Sequence, residues 1–306
     1  MNIASIDIGS NSVILLVAEL SRAHGRFVPV LNLYSTPRIS RNLSPGMKFD
    51  SPAVDRLKNV LRDFKNAALE NKAEIILPGA TQAFRKASNS KEIVEEIREE
   101  LGIEIRILTG EEEAILSYFG SVSEWDEFSG YMIDIGGGSS EIFLGSRQGL
   151  IFSQSYNFGS VSICEQFGSV PPLDKAAAEQ IKNYVINNIK NSKMPPLNEN
   201  PAIAVAGTPT TLACMQLGIK EYDENKIEGY ELSLENIKEL NSIMMRMNPS
   251  EILNYYGAIT LGREDIILTG SLILESVMEL LNLDYIYVSS RGLRHGLIYN
   301  YLHKII

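Results

Sequence analysis

Asp134 and Glu141 are two carboxylates separated by Ile135-Gly136-Gly137-Gly138-Ser139-Ser140. The apolar run Tyr131-Met132-Ile133 leads into the aspartate, and Ile142-Phe143-Leu144 follows the glutamate. Two strands joined by such a turn place a carboxylate at the mouth of a hairpin. Glycines carry no side chain, so the backbone N–H groups of Gly136, Gly137, Gly138 and Ser139 can approach a phosphate closely. Asp134 and Glu141 together can hold a hard cation such as Mg²⁺ beside it.

The same pattern occurs near the start of the chain. Ile6-Asp7-Ile8-Gly9-Ser10-Asn11-Ser12 leads into the apolar run Val13 to Ala18. Aligning Asp7 with Asp134 sets Gly9 on Gly136, Ser12 on Ser139 and Ile14 on Glu141. A plain β-hairpin with a glycine turn accounts for one copy. Two copies between apolar strands point instead to a duplicated phosphate-binding half, one per domain, with a cleft between them. Ser10, Asn11 and Ser12 are then the first loop's phosphate contacts. Gly207-Thr208 adds a third candidate, because helix N-termini receive anions readily; a hydroxyl cap is its structural alternative.

The elements that must position these loops follow from the rest of the chain. Its 306 residues suffice for two domains, and 44% hydrophobic and 22% charged residues are ordinary for a globular protein. The net charge of −10 repels nucleic acid and anionic membranes. A polyanionic substrate must therefore be met by local arginines, glycine loops and metal. Cys164 and Cys214 form no disulfide framework or metal spacing and read as inert core residues. The first residues show no signal-peptide pattern, and the longest apolar runs are far too short to span a bilayer. A cytoplasmic protein is expected, with a homodimer as the candidate assembly.

Strands are predicted at Ile3–Ile8, Ser12–Leu20 and Arg26–Tyr34, followed by a loop from Ser35 to Asp50. A helix starts at Ser51, where Val54, Leu57, Val60, Leu61, Phe64 and Ala68 recur at helical spacing. Strand Ala73–Leu77, helix Ser90–Leu101, strand Glu104–Leu108 and helix Glu111–Gly120 complete the first half. The second half restarts with strands Tyr131–Ile135, Glu141–Leu144 and Leu150–Tyr156. Helices Asp174–Lys190 and Thr208–Leu217 flank strand Ala202–Ala206. Helices Ser233–Met247 and Arg263–Leu281, strand Tyr285–Ser289 and helix Gly292–Lys304 end the chain. Alternation of this kind is α/β.

At this point the residues resemble a family. The two Asp-Ile-Gly loops are similar to those of the sugar kinase, heat-shock chaperone and actin superfamily. Four further segments narrow the resemblance to the exopolyphosphatase/guanosine pentaphosphate phosphatase family. They are Ala80-Thr81-Gln82-Ala83-Phe84-Arg85-Lys86-Ala87-Ser88-Asn89, Leu108-Thr109-Gly110-Glu111-Glu112-Glu113-Ala114, Ala206-Gly207-Thr208-Pro209-Thr210-Thr211 and Ser289-Ser290-Arg291-Gly292-Leu293-Arg294-His295-Gly296. The resemblance runs from Asp7 to Gly296. It implies duplicated actin-like ATPase (ribonuclease H-like) domains, spanning 1–124 plus 293–306 and 125–292, with a cleft between them.

The resemblance also implies roles. Glu113 matches the family's catalytic glutamate, which orients or deprotonates the attacking water. Glu111 and Glu112 read as acids favouring a helix N-terminus. Arg85 matches a cationic clamp, since guanidinium fits phosphate oxygens bidentately. Asp134 and Glu141 match the metal carboxylates, and Asp7 supports metal or water. Arg263, Arg291 and Arg294 are second-rank phosphate contacts, for which salt bridges are the ordinary alternative. His24, His295 and His303 receive no catalytic role.

Two positions depart from the family pattern. Ile14 stands where Arg or His is frequent, and Glu228 stands where a His-Gly pair is frequent. A carboxylate at 228 is expected to weaken phosphate binding locally. The function implied is a Mg²⁺-dependent hydrolase releasing terminal phosphate from inorganic polyphosphate or guanosine pentaphosphate. An ATP-dependent kinase and an alarmone- or nucleotide-binding regulator with little turnover are the alternatives.

Overall fold

The computed structural model describes residues 1–10, 12–21, 26–39, 46–123, 125, 127–146, 148–192 and 201–306. The chain forms two compact units, Met1–Glu124 with Gly292–Ile306, and Trp125–Arg291.

The first unit opens with β1 (Asn2–Ile8), β2 (Val13–Ser21) and β3 (Arg26–Ser35). Then come α1 (Ser51–Glu70), β4 (Ala73–Ala80), α2 (Gln82–Lys86), α3 (Ser90–Leu101), β5 (Arg106–Ile107) and α4 (Gly110–Ser121). The sheet order is β3-β2-β1-β4-β5 among the described residues. β1, β2 and β3 pair antiparallel, whereas β4 and β5 run parallel to β1. Ile3, Ala4, Ile6 and Ile8 of β1 are fully buried, as a central strand covered on both faces requires. α1 starts where Asp50 accepts the Ala53 N–H at 2.7 Å, with a proline in its first turn. Its buried side chains include Leu57, Leu61, Phe64 and Ala68, the stripe its spacing predicts.

The second unit repeats the plan with β6 (Ser129–Ile135), β7 (Ser140–Ser146) and β8 (Gly149–Tyr156). There follow α5 (Ser160–Phe167), α6 (Lys175–Lys190), β9 (Ala202–Val205), α7 (Gly207–Leu217), α8 (Glu224–Ile227) and β10 (Tyr230–Ser233). α9 (Leu234–Met244), α10 (Pro249–Tyr256), α11 (Ile267–Leu281) and β11 (Tyr285–Val288) complete it. Its sheet order is β10-β11-β9-β6-β7-β8. Read from β8, the first five strands reproduce the first unit's order and directions, and β10 adds an antiparallel edge. This is the duplicated ribonuclease H-like topology of actin-type ATPase domains. α11 is buried nearly all round, and its Glu275 is held by Lys182 Nζ and Asn241 Nδ2, each at 2.7 Å. Cys164 and Cys214 are buried thiols.

The final helix, α12 (Leu293–His303), belongs to the first unit and packs on α4 and β1. The two helices meet backbone to backbone. A Cβ on Gly296 would lie 1.9 Å from Leu116 O, and one on Gly120 would lie 2.2 Å from Gly292 O. Only glycine permits this crossing.

Five of the elements above lie outside the sequence expectation, α2, α5, α8, β10 and α10, as does a short 3-10 turn at Ala258–Thr260. α2 and α8 are shorter than two turns, so no periodicity can mark them. α10 did carry a readable start. Asn248 caps it, Pro249 opens it and Glu251 closes the capping box. α11 begins at Ile267 rather than Arg263, since turns occupy the residues just before it.

Candidate active site

The two loops are the same device built twice. Asp7 lies opposite Ile14 in the β1–β2 register, and Asp134 lies opposite Glu141 in the β6–β7 register. Gly9 N–H donates to Ser12 O at 2.9 Å, and Gly136 N–H donates to Ser139 O at 3.0 Å. Ser10 and Ser12 are partly exposed at the first loop. Asn11 and His24 lie outside the described residues.

In the second unit one sheet row carries Asp134, Glu141 and Ser155 on adjacent strands. Directly opposite residues share a face, with Cβ atoms typically about 4.5–5.5 Å apart. Ser155 Oγ donates to Glu141 Oε1 at 2.6 Å, fixing that carboxylate. Two carboxylates on one face are a donor set that Mg²⁺ accepts, since it takes one or two carboxylates and keeps its other ligands as water. The first unit's equivalent row is Asp7, Ile14 and Tyr34, which offers one carboxylate.

α4 is placed by its own sequence. Thr109 Oγ1 accepts the Glu112 N–H at 3.1 Å, and Glu112 Oε2 accepts the Thr109 N–H at 2.8 Å. This capping box, with an ion pair to Arg106, accounts for Glu112 as a structural residue. Glu113, one position on, turns to a different partner. Arg85 Nη1 on α2 donates to Glu113 Oε2 at 2.7 Å and to Leu108 O at 2.9 Å. The two side chains are 29% and 30% exposed, so solvent still reaches them. Burial raises the Glu113 carboxyl above its ordinary value, and the Arg85 charge and hydrogen bond oppose that rise. The sequence reading gave these residues separate tasks and did not foresee the pair.

Among this unit's described residues, Asp7 is the second acid that burial raises. Its carboxyl is pushed up to about 7, first by desolvation and then by the Glu113 charge, while Arg294 pulls it down. Arg294 is held on α12, where its Nε donates to Asn32 Oδ1 at 3.1 Å and its carbonyl accepts from Ser5 Oγ at 2.6 Å. Thr81 N and Oγ1 both donate to Ile8 O, at 3.2 and 3.3 Å, tying α2 to the Asp7 strand. His295 is buried and stacks on Phe27.

At the β9–α7 junction Ala206 has φ +74 and ψ −168, a region that side chains rarely adopt. The Arg263 guanidinium lies over Gly207, where a Cβ would come 1.3 Å from Nη1. Thr208 is buried and faces α11, since a Cβ on Gly270 would meet Thr208 Oγ1 at 2.4 Å. The accessible group at this junction is thus the Gly207 backbone with Arg263, not the Thr208 hydroxyl.

Glu228, the departure expected to face substrate, has its carboxylate engaged elsewhere. It accepts from Ser289 Oγ at 2.8 Å and from Ser290 N and Oγ, both at 2.7 Å. Arg291 Nε lies 4.0 Å away, and that side chain is buried. Glu228 therefore caps the turn after β11.

The chain is similar to known proteins over nearly its whole length. The model of the Ppx/GppA phosphatase family matches residues 16–305. The chain is 28% identical over 309 residues to the bifunctional 3-dehydroquinate synthase/phosphatase of Fusobacterium nucleatum, covering 96% of this chain and 46% of that protein. It thus spans under half of that relative's length. It is 25% identical over 303 residues to exopolyphosphatase 1 of Mycobacterium leprae, covering 97% of this chain and 88% of that protein. The crystal structure of the Aquifex aeolicus member of the Ppx/GppA family superposes with a TM-score of 0.88 at 25% identity, covering 99% of this chain and 98% of that one. With a duplicated actin-type fold, two Asp-Ile-Gly loops and a family match over nearly its whole length, the chain belongs to the Ppx/GppA phosphatase family.

Proposed function

We propose that this chain hydrolyses phosphoanhydride bonds and releases the terminal phosphate of inorganic polyphosphate. Guanosine pentaphosphate, which carries the same bond, is the second substrate. The observation that carries this reading is the Arg85–Glu113 pair within a phosphatase family. Phosphoanhydride hydrolysis needs an oriented water, an acceptor for its proton and positive charge near the transferring oxygens. Glu113 supplies the acceptor. A carboxyl raised by burial is a better base than an exposed one, and the adjacent guanidinium opposes that rise. Among the described residues Arg85 uses only Nη1, which leaves its other N–H groups to meet a phosphate oxygen. Asp7, holding a proton near neutral pH, spares Glu113 a second adjacent negative charge.

Asp134 and Glu141 are the residues that would hold Mg²⁺. Bound there, the ion would neutralise charge on phosphate oxygens. The loop N–H groups of Gly137, Gly138 and Ser139 would add hydrogen bonds to the same class of oxygen, and Ser10 and Ser12 would act likewise from the first loop. The name exopolyphosphatase borne by the mycobacterial relative favours polyphosphate as the first substrate to test.

Phosphate release from polyphosphate, guanosine pentaphosphate and ATP, measured in parallel over a range of Mg²⁺ concentrations, tests the reading. Release from polyphosphate is expected, and Asp134→Asn should require more Mg²⁺ for half-maximal rate. Phosphoryl transfer from ATP to an acceptor without hydrolysis of polyphosphate would identify a kinase. Tight nucleotide binding without release would identify a regulator.

A further inference from the structure

The glycine loop of the second unit is gripped from one side by a helix. Ser160 N–H donates to Gly136 O at 2.9 Å, and the N–H groups of Val161 and Ser162 donate to Gly137 O at 2.9 and 3.0 Å. Ser160 Oγ adds a contact of 3.3 Å to Gly136 O. The first-turn N–H groups of a helix ordinarily lack partners inside the helix. In α5 three of them end on the loop's carbonyls.

This grip decides where the loop's own donors point. A planar trans peptide turns its C=O and the following N–H in opposite directions. With the carbonyls of Gly136 and Gly137 turned into α5, the N–H groups of Gly137 and Gly138 turn to the other side. Among the described residues, no protein acceptor takes the N–H of Gly137, Gly138 or Ser139. Successive N–H groups on one side of a turn form a nest for anionic oxygen.

Gly159 makes the approach feasible. A Cβ there would lie 2.5 Å from Gly136 O and 2.6 Å from Gly137 C and O, all backbone atoms. Its φ of −153 is extended and open to any residue, so space and not conformation demands glycine. Ser162 Oγ accepts the Gly159 N–H at 2.8 Å and closes the helix start. The first unit's loop has the same closure but no such helix among its described residues. There Thr81 takes the carbonyl of Ile8, the counterpart of Ile135 and not of a gripped glycine.

Resting on the phosphate-loop reading above, we infer that Gly159, Ser160 and Ser162 are positioning residues that set the Gly136–Ser139 backbone in its anion-receiving form before substrate arrives. The test is calorimetric binding of imidodiphosphate, whose P–N–P bridge resists hydrolysis, to the full chain with Mg²⁺, alongside thermal unfolding. Gly138→Pro removes one outward N–H directly, and a Cβ at that position meets nothing within 4 Å. Gly159→Ala perturbs the grip. Both should weaken binding by at least about tenfold, as for the loss of one charge-assisted hydrogen bond. Ser162→Ala should weaken binding less, and Ser162→Thr, which keeps the hydroxyl, should bind like the parent.

Normal binding by folded Gly159→Ala together with weakened binding by Gly138→Pro would overturn the positioning role and leave the loop reading intact. Normal binding by Gly138→Pro would overturn both. A lowered unfolding midpoint with unchanged affinity in Gly159→Ala would assign that residue to stability alone. Should Gly159→Ala not fold, the Ser162 pair decides, and parental binding by Ser162→Ala would reject the inference.

Discussion

Arg85 Nη1 stands 2.7 Å from Glu113 Oε2, and the same nitrogen reaches Leu108 O at 2.9 Å. One guanidinium thus fixes the start of α4 and the carboxylate on it. Arg85 is a tuner of Glu113 as well as a candidate phosphate ligand, and the two roles predict different mutant behaviour.

Glu113→Gln keeps the side chain's size and removes the proton acceptor. Turnover of polyphosphate should fall by about 10²–10⁴-fold, the usual range for a lost general base. Single-turnover phosphate release measures this. Substrate affinity should hold or improve, because a carboxylate facing a polyanion is gone. Near-normal turnover would reject Glu113 as base and move attention to Asp7.

Arg85→Ala removes the charge that holds the Glu113 carboxyl down, while its desolvation remains. The carboxyl should then lose its proton only at higher pH. The acid limb of the kcat/KM profile should move upward, and KM for polyphosphate should rise as a cationic contact disappears. A raised KM with an unmoved acid limb would leave Arg85 as a ligand only.

Asp7 predicts a pH dependence of stability. Its carboxyl titrates near 7 in the fold, against about 3.9 in an unfolded chain. The folded state therefore binds the proton more tightly. This contribution favours folding most below about pH 4 and is lost as pH rises through 7. Asp7→Asn should consequently stabilise the protein at pH 8, by less than about 4 kcal/mol because Asp7 is only half-buried, and change little at pH 4. Denaturant unfolding in metal-free buffer at both pH values checks it; an equal effect at both would contradict the assignment.

Gly296→Ala tests the helix crossing. Its Cβ would fall 1.9 Å from Leu116 O, a backbone atom that moves only with α4. Destabilisation of roughly 2 kcal/mol or more is expected, within the upper range of overpacking effects. Turnover should fall too, because α4 carries Glu113. An unchanged unfolding midpoint would mean that the helices part without cost.

The hairpins are legible in the sequence because a glycine two residues after each aspartate, between apolar runs, admits few other structures. The Asp134–Glu141 register follows from the loop length alone. The Arg85–Glu113 pair is not legible in the same way. Its members lie 28 positions apart on two helices, and α2 is only five residues long. Nor does composition reveal that Asp7 is desolvated, since that depends on what packs around β1. The grip of α5 on the loop escapes for a similar reason: Gly159 has an ordinary φ, and only its neighbours in space make it necessary. Glu228 shows the converse case. As a charge in a motif it suggested conflict with substrate, but three donors from Ser289 and Ser290 give it a capping task.

The route of the chain through α12 bears on the order of its synthesis. The helix that seats α4 leaves the ribosome after all of the second unit. The Trp125–Arg291 unit can therefore complete its core while the first unit still lacks one wall. Until Gly296 meets Leu116, α4 has no partner there, and Glu113 stands on an unsupported helix. A truncation before Leu293 should therefore leave the second sheet formed and α4 without its mount.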